Sequence, residues 1–75
     1  MSDLVKRSFS VAGHRTSVAL EPEFWTALQE IATRQGITLA RLVMQIDADR
    51  LPDRPLASAL RVFALTRNFT PPPLS

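Results

Sequence analysis

The sequence predicts a mainly α-helical protein that opens with a short β-ribbon and carries a third helix. Three observations lead to that expectation. Arg15 to Leu20 (RTSVAL) alternates polar and apolar residues with the period of two that a half-buried strand needs. EPEFWTALQEIATRQG follows at once, with apolar residues at helical spacing and a glycine at its end. Two further amphipathic stretches then run to residue 67, separated by a segment holding Pro52 and Pro55.

Lys6 to Val11 (KRSFSV) alternates as well, with Arg7, Phe9 and Val11 on one face and Lys6, Ser8 and Ser10 on the other. Ala12-Gly13 comes next, and glycine can supply the positive φ of a tight turn. With these two residues as the turn, Val11 sits opposite His14, Phe9 opposite Thr16 and Ser8 opposite Ser17. Phe9 and Val11 then share a face with Thr16 and Val18, while Ser8 and Ser10 share the other with Arg15 and Ser17. A lone hairpin is marginal in water, so residues 1–14 are read either as a first hairpin strand or as a loose basic arm.

The first helix is expected from about Pro22 to Gln35. Pro22 suits the first turn, Glu21 and Glu23 favour the positive end of the dipole, and Gly36 is the stop. Its apolar stripe is Phe24, Leu28, Ile31 and Ala32, with Trp25 on the flank. The second helix is expected from about Leu39 to Arg50, capped by the Thr38 hydroxyl, with Leu39, Leu42, Val43 and Ile46 as its stripe. Pro52 ends that pattern and Pro55 is placed to start a third helix, Leu56 to about Arg67. Leu56, Leu60 and Phe63 line one face of it and Val62, Leu65 and Phe69 another, as in a helix held between two surfaces. Residues 15–50 form the expected core unit, 51–69 the linker and third helix, and 70–75 (TPPPLS) a disordered, extended tail. No internal repeat is visible.

A chain of 75 residues lies near the lower limit for a self-sufficient core. With no cysteine and only His14 as histidine, disulfides and metal clusters are excluded as staples. Association with a second subunit is the remaining remedy. Hydrophobic residues at 45 % and charged residues at 21 % describe a folded soluble domain, not a disordered chain. The net charge is only +2; the pI near 10.5 reflects that eight of nine basic residues are arginine. The N-terminus has no signal-like apolar run and no stretch is long enough to span a membrane, so a cytoplasmic protein is expected.

Strand, first helix, Gly36-Ile37-Thr38 and second helix (LARLVMQIDADR), over residues 15–50, resemble the ribbon-helix-helix family of Arc/MetJ-like DNA-binding proteins. KRSFSVAGHRTSVALEPEFWTALQEIA followed by SALRVFAL resembles, more narrowly, a small bacterial subgroup with an extra C-terminal helix. The resemblance implies an intertwined homodimer in which the strand pairs with its copy from a second subunit and the ribbon enters the major groove of double-stranded DNA. Arg15, Ser17 and Ala19 would face the bases. Arginine pairs bidentately with guanine, serine serves several bases, and a methyl group meets thymine. Val18, Leu20, Phe24, Trp25, Leu28, Ile31, Leu39, Leu42, Val43 and Ile46 would form the dimer core. Lys6, Arg7, Thr38, Arg34 and Arg41 would meet phosphates, Thr38 beside the free amides of the second helix.

Each of these residues also has a plainer reading. Arg15 suits any solvated strand face, Thr38 is first a helix cap, His14 flanks a turn, and Trp25 is a core or interface anchor. Glu21, Glu23 and Glu30 are helix-start and surface charges with no nucleophile or metal cluster beside them. No catalytic residue, cofactor or metal site is expected. One feature works against groove insertion: a hairpin in each subunit gives the dimer four strands, about 14 Å across, against a groove roughly 12 Å wide. Two functions of different class follow. One is a homodimeric transcriptional regulator that binds DNA; the other is a protein-interaction or assembly module using the third helix on the same scaffold.

Overall fold

The computed structural model describes residues 3–68, with β1 (Val5–Val11), β2 (His14–Leu20), α1 (Pro22–Gln35), α2 (Leu39–Asp49) and α3 (Leu56–Asn68) in that order. The expected tail at 70–75, and Phe69, lie outside the described residues. The two strands pair antiparallel in one sheet, with Val11 opposite His14, Phe9 opposite Thr16 and Ser8 opposite Ser17. That is the register the Ala12-Gly13 turn implies. Both turn residues have positive φ, 51° at Ala12 and 81° at Gly13, the signature of a type I′ turn whose twist suits a hairpin. Glycine adopts this conformation freely. Alanine does so at a cost, because its Cβ crowds the following carbonyl.

The inner face of the hairpin is covered by the chain's own helices. Phe9, Val11, Val18 and Leu20 are all buried, Leu20 completely. β1 packs on α2 and β2 on α3, while the three helices pack pairwise beneath. Leu28, Ala32, Val43 and Leu60 in those helices are fully buried. Within the chain β1 pairs with β2, and α3 walls one side of the core.

Helix boundaries follow local chemistry. Gly36 closes α1 in the left-handed conformation at φ 72°, and the Ile37 N–H donates to the Ala32 carbonyl at 3.0 Å, a Schellman closure. Thr38 Oγ1 accepts the Arg41 amide at 3.1 Å and so caps α2. α2 ends at Asp49, one residue earlier than the sequence pattern suggests. Arg50 leaves the helix in extended conformation, its Nε donating to Asp47 Oδ1 at 2.8 Å and its Nη1 to the Arg54 carbonyl at 2.8 Å. Pro55 starts α3 as expected, its carbonyl accepting the Ala59 amide at 3.0 Å.

Two side chains differ from the stripe read off the sequence. Trp25, expected on the flank of α1, is 4 % exposed, while Phe24 is only partly buried. The reason is β1, which folds over that flank. The Phe9 ring lies 5.8 Å from Trp25, and the indole N–H donates to the Val5 carbonyl at 2.7 Å. A tryptophan buried this way satisfies its one polar group. Phe24 lies instead beneath the Arg61 guanidinium, 5.8 Å from the ring centre. On α3, Ala59, Leu60 and Ala64 are buried, whereas Val62 and Leu65 remain exposed. One face of α3 closes the core and the other faces outward.

α3 is also tied to the β2–α1 junction by charge. Arg61 donates from Nε and Nη2 to Glu21 Oε1, both at 3.0 Å. The backbone amide of Glu21 itself, and then Arg61, hold this carboxyl below its ordinary value. A carboxylate with a depressed folded pKa stabilises the fold fully above the unfolded value, about 4.3, and loses that contribution as pH falls through the folded value.

Two outcomes follow from this architecture. Ala12→Asn, which gives the Asn-Gly pair favoured in type I′ turns, should stabilise the protein by about 1 kcal/mol. In a thermal melt that is a rise of roughly 4–8 °C for a domain of this size; a lower melting temperature would contradict the turn assignment. Acid titration tests the junction. Between about pH 5 and about pH 3, the wild-type urea midpoint should fall more steeply than that of Glu21→Gln. Parallel curves would remove the Glu21–Arg61 pair from the account.

Candidate nucleic-acid interface

The hairpin leaves one face outward. Register places Lys6 beside Ala19, Ser8 beside Ser17 and Ser10 beside Arg15 on that face, because directly opposed residues in an antiparallel pair point the same way. All are exposed except Ala19, which is half-buried. The face is narrow. Two strands give one backbone spacing, about 4.8 Å, with short side chains over most of the surface.

Its chemistry is polar and cationic. Lys6 stands at the helix-proximal end of β1 and Arg15 at the turn end of β2, so the two charges occupy opposite corners. No carboxylate stands among these positions. Between the corners, Ser8 Oγ and Ser17 Oγ lie 2.9 Å apart in a mutual hydrogen bond. One hydroxyl donates to the other, which leaves a second proton and free lone pairs directed outward.

The structure gathers the sequence-selected base-facing residues Arg15, Ser17 and Ala19 onto this one surface and adds Ser8 and Ser10 from β1. The sequence pattern puts those two on the same face as Arg15 and Ser17 without marking them as contacts. Their signal was the alternation of KRSFSV combined with the Ala12-Gly13 turn, which fixes their partners.

The phosphate candidates divide. Lys6 shares the outer face. Arg7 belongs to the opposite face, its guanidinium 5.6 Å from the centre of the Trp25 ring system. A groove lined by Val5, Arg7, Trp25 and Leu39 brings the start of β1 next to the start of α2. Glu30 also lines this groove; Thr38 caps α2, whose first turn carries no acidic residue, and Arg41 is exposed. Arg34 lies in the last turn of α1, where its charge complements the negative end of the helix dipole.

The residues expected to form a dimer core lie in the core of the single chain. Val18, Leu20, Trp25, Leu28, Ile31, Leu42, Val43 and Ile46 are buried, with Phe24 and Leu39 packed against them. Among the described residues, no group of three or more His, Cys, Asp or Glu is placed to hold a metal ion. Among them, too, no helix is long and apolar enough to cross a membrane.

Comparison with protein-family models matches residues 4–67 to a ribbon-helix-helix domain. No curated protein and no solved structure matches the chain. The match begins just ahead of β1 and ends within α3, so it takes in the hairpin and all three helices. Domains of this kind are in general DNA-binding transcription-regulator folds and are typically not enzymes. The chain belongs to the ribbon-helix-helix domain family.

Proposed function

We propose that the protein is a DNA-binding transcriptional regulator that lays the outward face of its β1–β2 hairpin in the major groove. The observation that carries this reading is the surface just described: a two-stranded ribbon with exposed Lys6, Ser8, Ser10, Arg15 and Ser17 and no carboxylate. A ribbon of that width suits a groove roughly 12 Å across. Arg15 is the strongest base-reading candidate, through a bidentate contact to guanine. Ser17 serves as a donor or acceptor, and the Ala19 methyl offers an apolar contact to thymine. Lys6 neutralises phosphate or reads a base edge at the opposite corner. The exposed Arg7 and Arg41, with the Thr38-capped start of α2, are the candidates for contact with a phosphate backbone.

A second reading rests on a different observation. Leu51, Val62 and Leu65 are exposed apolar residues on α3 and the loop before it. They favour a protein partner on that side of the molecule, and DNA binding does not require them. Salt dependence separates the two functions. Phosphate contacts release counterions and weaken steeply with salt, whereas an apolar interface does not.

Titration against mixed duplex DNA at low and moderate salt tests the first reading. Affinity should fall steeply as salt rises, and Arg15→Ala should lower it by about 1–3 kcal/mol at a preferred site. Because Arg15 is exposed, its removal should leave the melting temperature nearly unchanged. Equal affinity in wild type and variant would remove the ribbon face as the DNA surface.

A further inference from the structure

A lone serine is a poor reader of sequence. Its hydroxyl rotates and can donate or accept, so it suits several bases equally. Ser17 is not alone in this hairpin. Ser8 Oγ stands 2.9 Å from Ser17 Oγ, and both residues are exposed on the outer face. The turn sets this approach. In a hairpin closed by two residues the pair next to the turn is hydrogen-bonded, and the two kinds of pair alternate from there. Val11–His14 is that first pair, so Ser10–Arg15 and Ser8–Ser17 are both of the close, non-hydrogen-bonded kind.

The bond between the two serines takes away the freedom of each. One hydroxyl spends its proton on the other and turns only lone pairs outward. The second, whose oxygen has accepted, keeps its own proton to point outward. The pair therefore presents one acceptor and one donor side by side, the combination carried by the side-chain amide of asparagine or glutamine. Either serine can be the donor, so the pair can meet a base edge in both orientations. Among the four bases, only adenine has an acceptor and a donor together on its own major-groove edge, N7 and the N6 amino group. Guanine shows two acceptors, cytosine a donor, and thymine an acceptor beside a methyl group.

We propose, resting on the DNA-binding reading above, that Ser8 and Ser17 form a single adenine-reading unit. One hydroxyl accepts from the N6 amino group while the other donates to N7. Ser8 is then as necessary as Ser17. The neighbours on the face leave the free proton available: Lys6 and Ser10 flank Ser8, Arg15 and Ala19 flank Ser17, and none is a carboxylate. Arg15 lies two strand residues from Ser17, about 6.8 Å, so the adenine should fall about two base steps from the guanine that Arg15 reads. The pair is built inside one hairpin. In a dimer each subunit carries its own, and each half-site contains the adenine.

Selection from a randomised duplex pool, followed by affinity measurement on the selected duplex, tests this with wild type, Ser8→Ala, Ser17→Ala, the double variant and Ser8→Thr. Wild type should select an adenine, and each alanine variant should lose that preference roughly tenfold. The double variant should lose no more than either single one, because the two hydroxyls act as one unit. Ser8→Thr keeps the hydroxyl on a side chain that suits a strand and should keep the preference. Purine or 7-deazaadenine in place of the selected adenine removes the N6 amino group or N7. Each should weaken wild type roughly tenfold and leave the double variant unaffected. Adenine preference unchanged in Ser8→Ala, losses that add in the double variant, or indifference of wild type to both base analogues overturns the inference and leaves the DNA-binding reading intact. A folded wild-type protein that binds no duplex at low salt overturns that reading and the inference with it.

Discussion

Pairing of β1 with β2 is the constraint on which the rest of the molecule depends. A lone strand leaves a row of backbone donors and acceptors without partners and offers an edge to any other chain. Here the partner arrives after two residues, through a turn in which both Ala12 and Gly13 have positive φ. Since the side-chain period of a strand is two, a slip of one residue would turn one strand's faces over relative to the other's. It would set Phe9 and Val11 on the face opposite to Val18 and Leu20, so that one pair or the other would meet water. The turn thus fixes the core and the outer surface in a single step.

The helices convert that hairpin into a finished domain. α1 secures β1 through Trp25, whose ring packs on Phe9 and whose N–H binds the Val5 carbonyl. α2 supports β1, and α3 supports β2 while Arg61 locks onto Glu21 where the chain passes from strand to helix. Leu60 of α3 is fully buried, so this helix is part of the core and not an appendage.

Much of this was legible in the sequence because local chemistry agreed with the tertiary arrangement. Pro22 and Gly36 bound α1 where expected, Thr38 caps α2, Pro55 opens α3, and the Ala12-Gly13 turn sets the register. The misplacements arose where one element covers another. Trp25 is a core anchor, as one sequence reading has it, but its burial depends on β1 folding over the flank of α1, which a helical stripe cannot show. Ser8 and Ser10 gain their place beside Ser17 and Arg15 only through the strand pairing. The pairing of β1 within the chain was one alternative among two at the level of sequence, since hairpins are marginal alone and only the helices beneath make this one stable.

The most direct test of a ribbon completed within one chain is an isotope-filtered NMR experiment on an equal mixture of labelled and unlabelled protein. The account predicts cross-strand contacts between Ser8 and Ser17, and between Val11 and His14, only within labelled chains. Filtered contacts between labelled and unlabelled chains at those positions would contradict it, because the ribbon would then be built from two subunits.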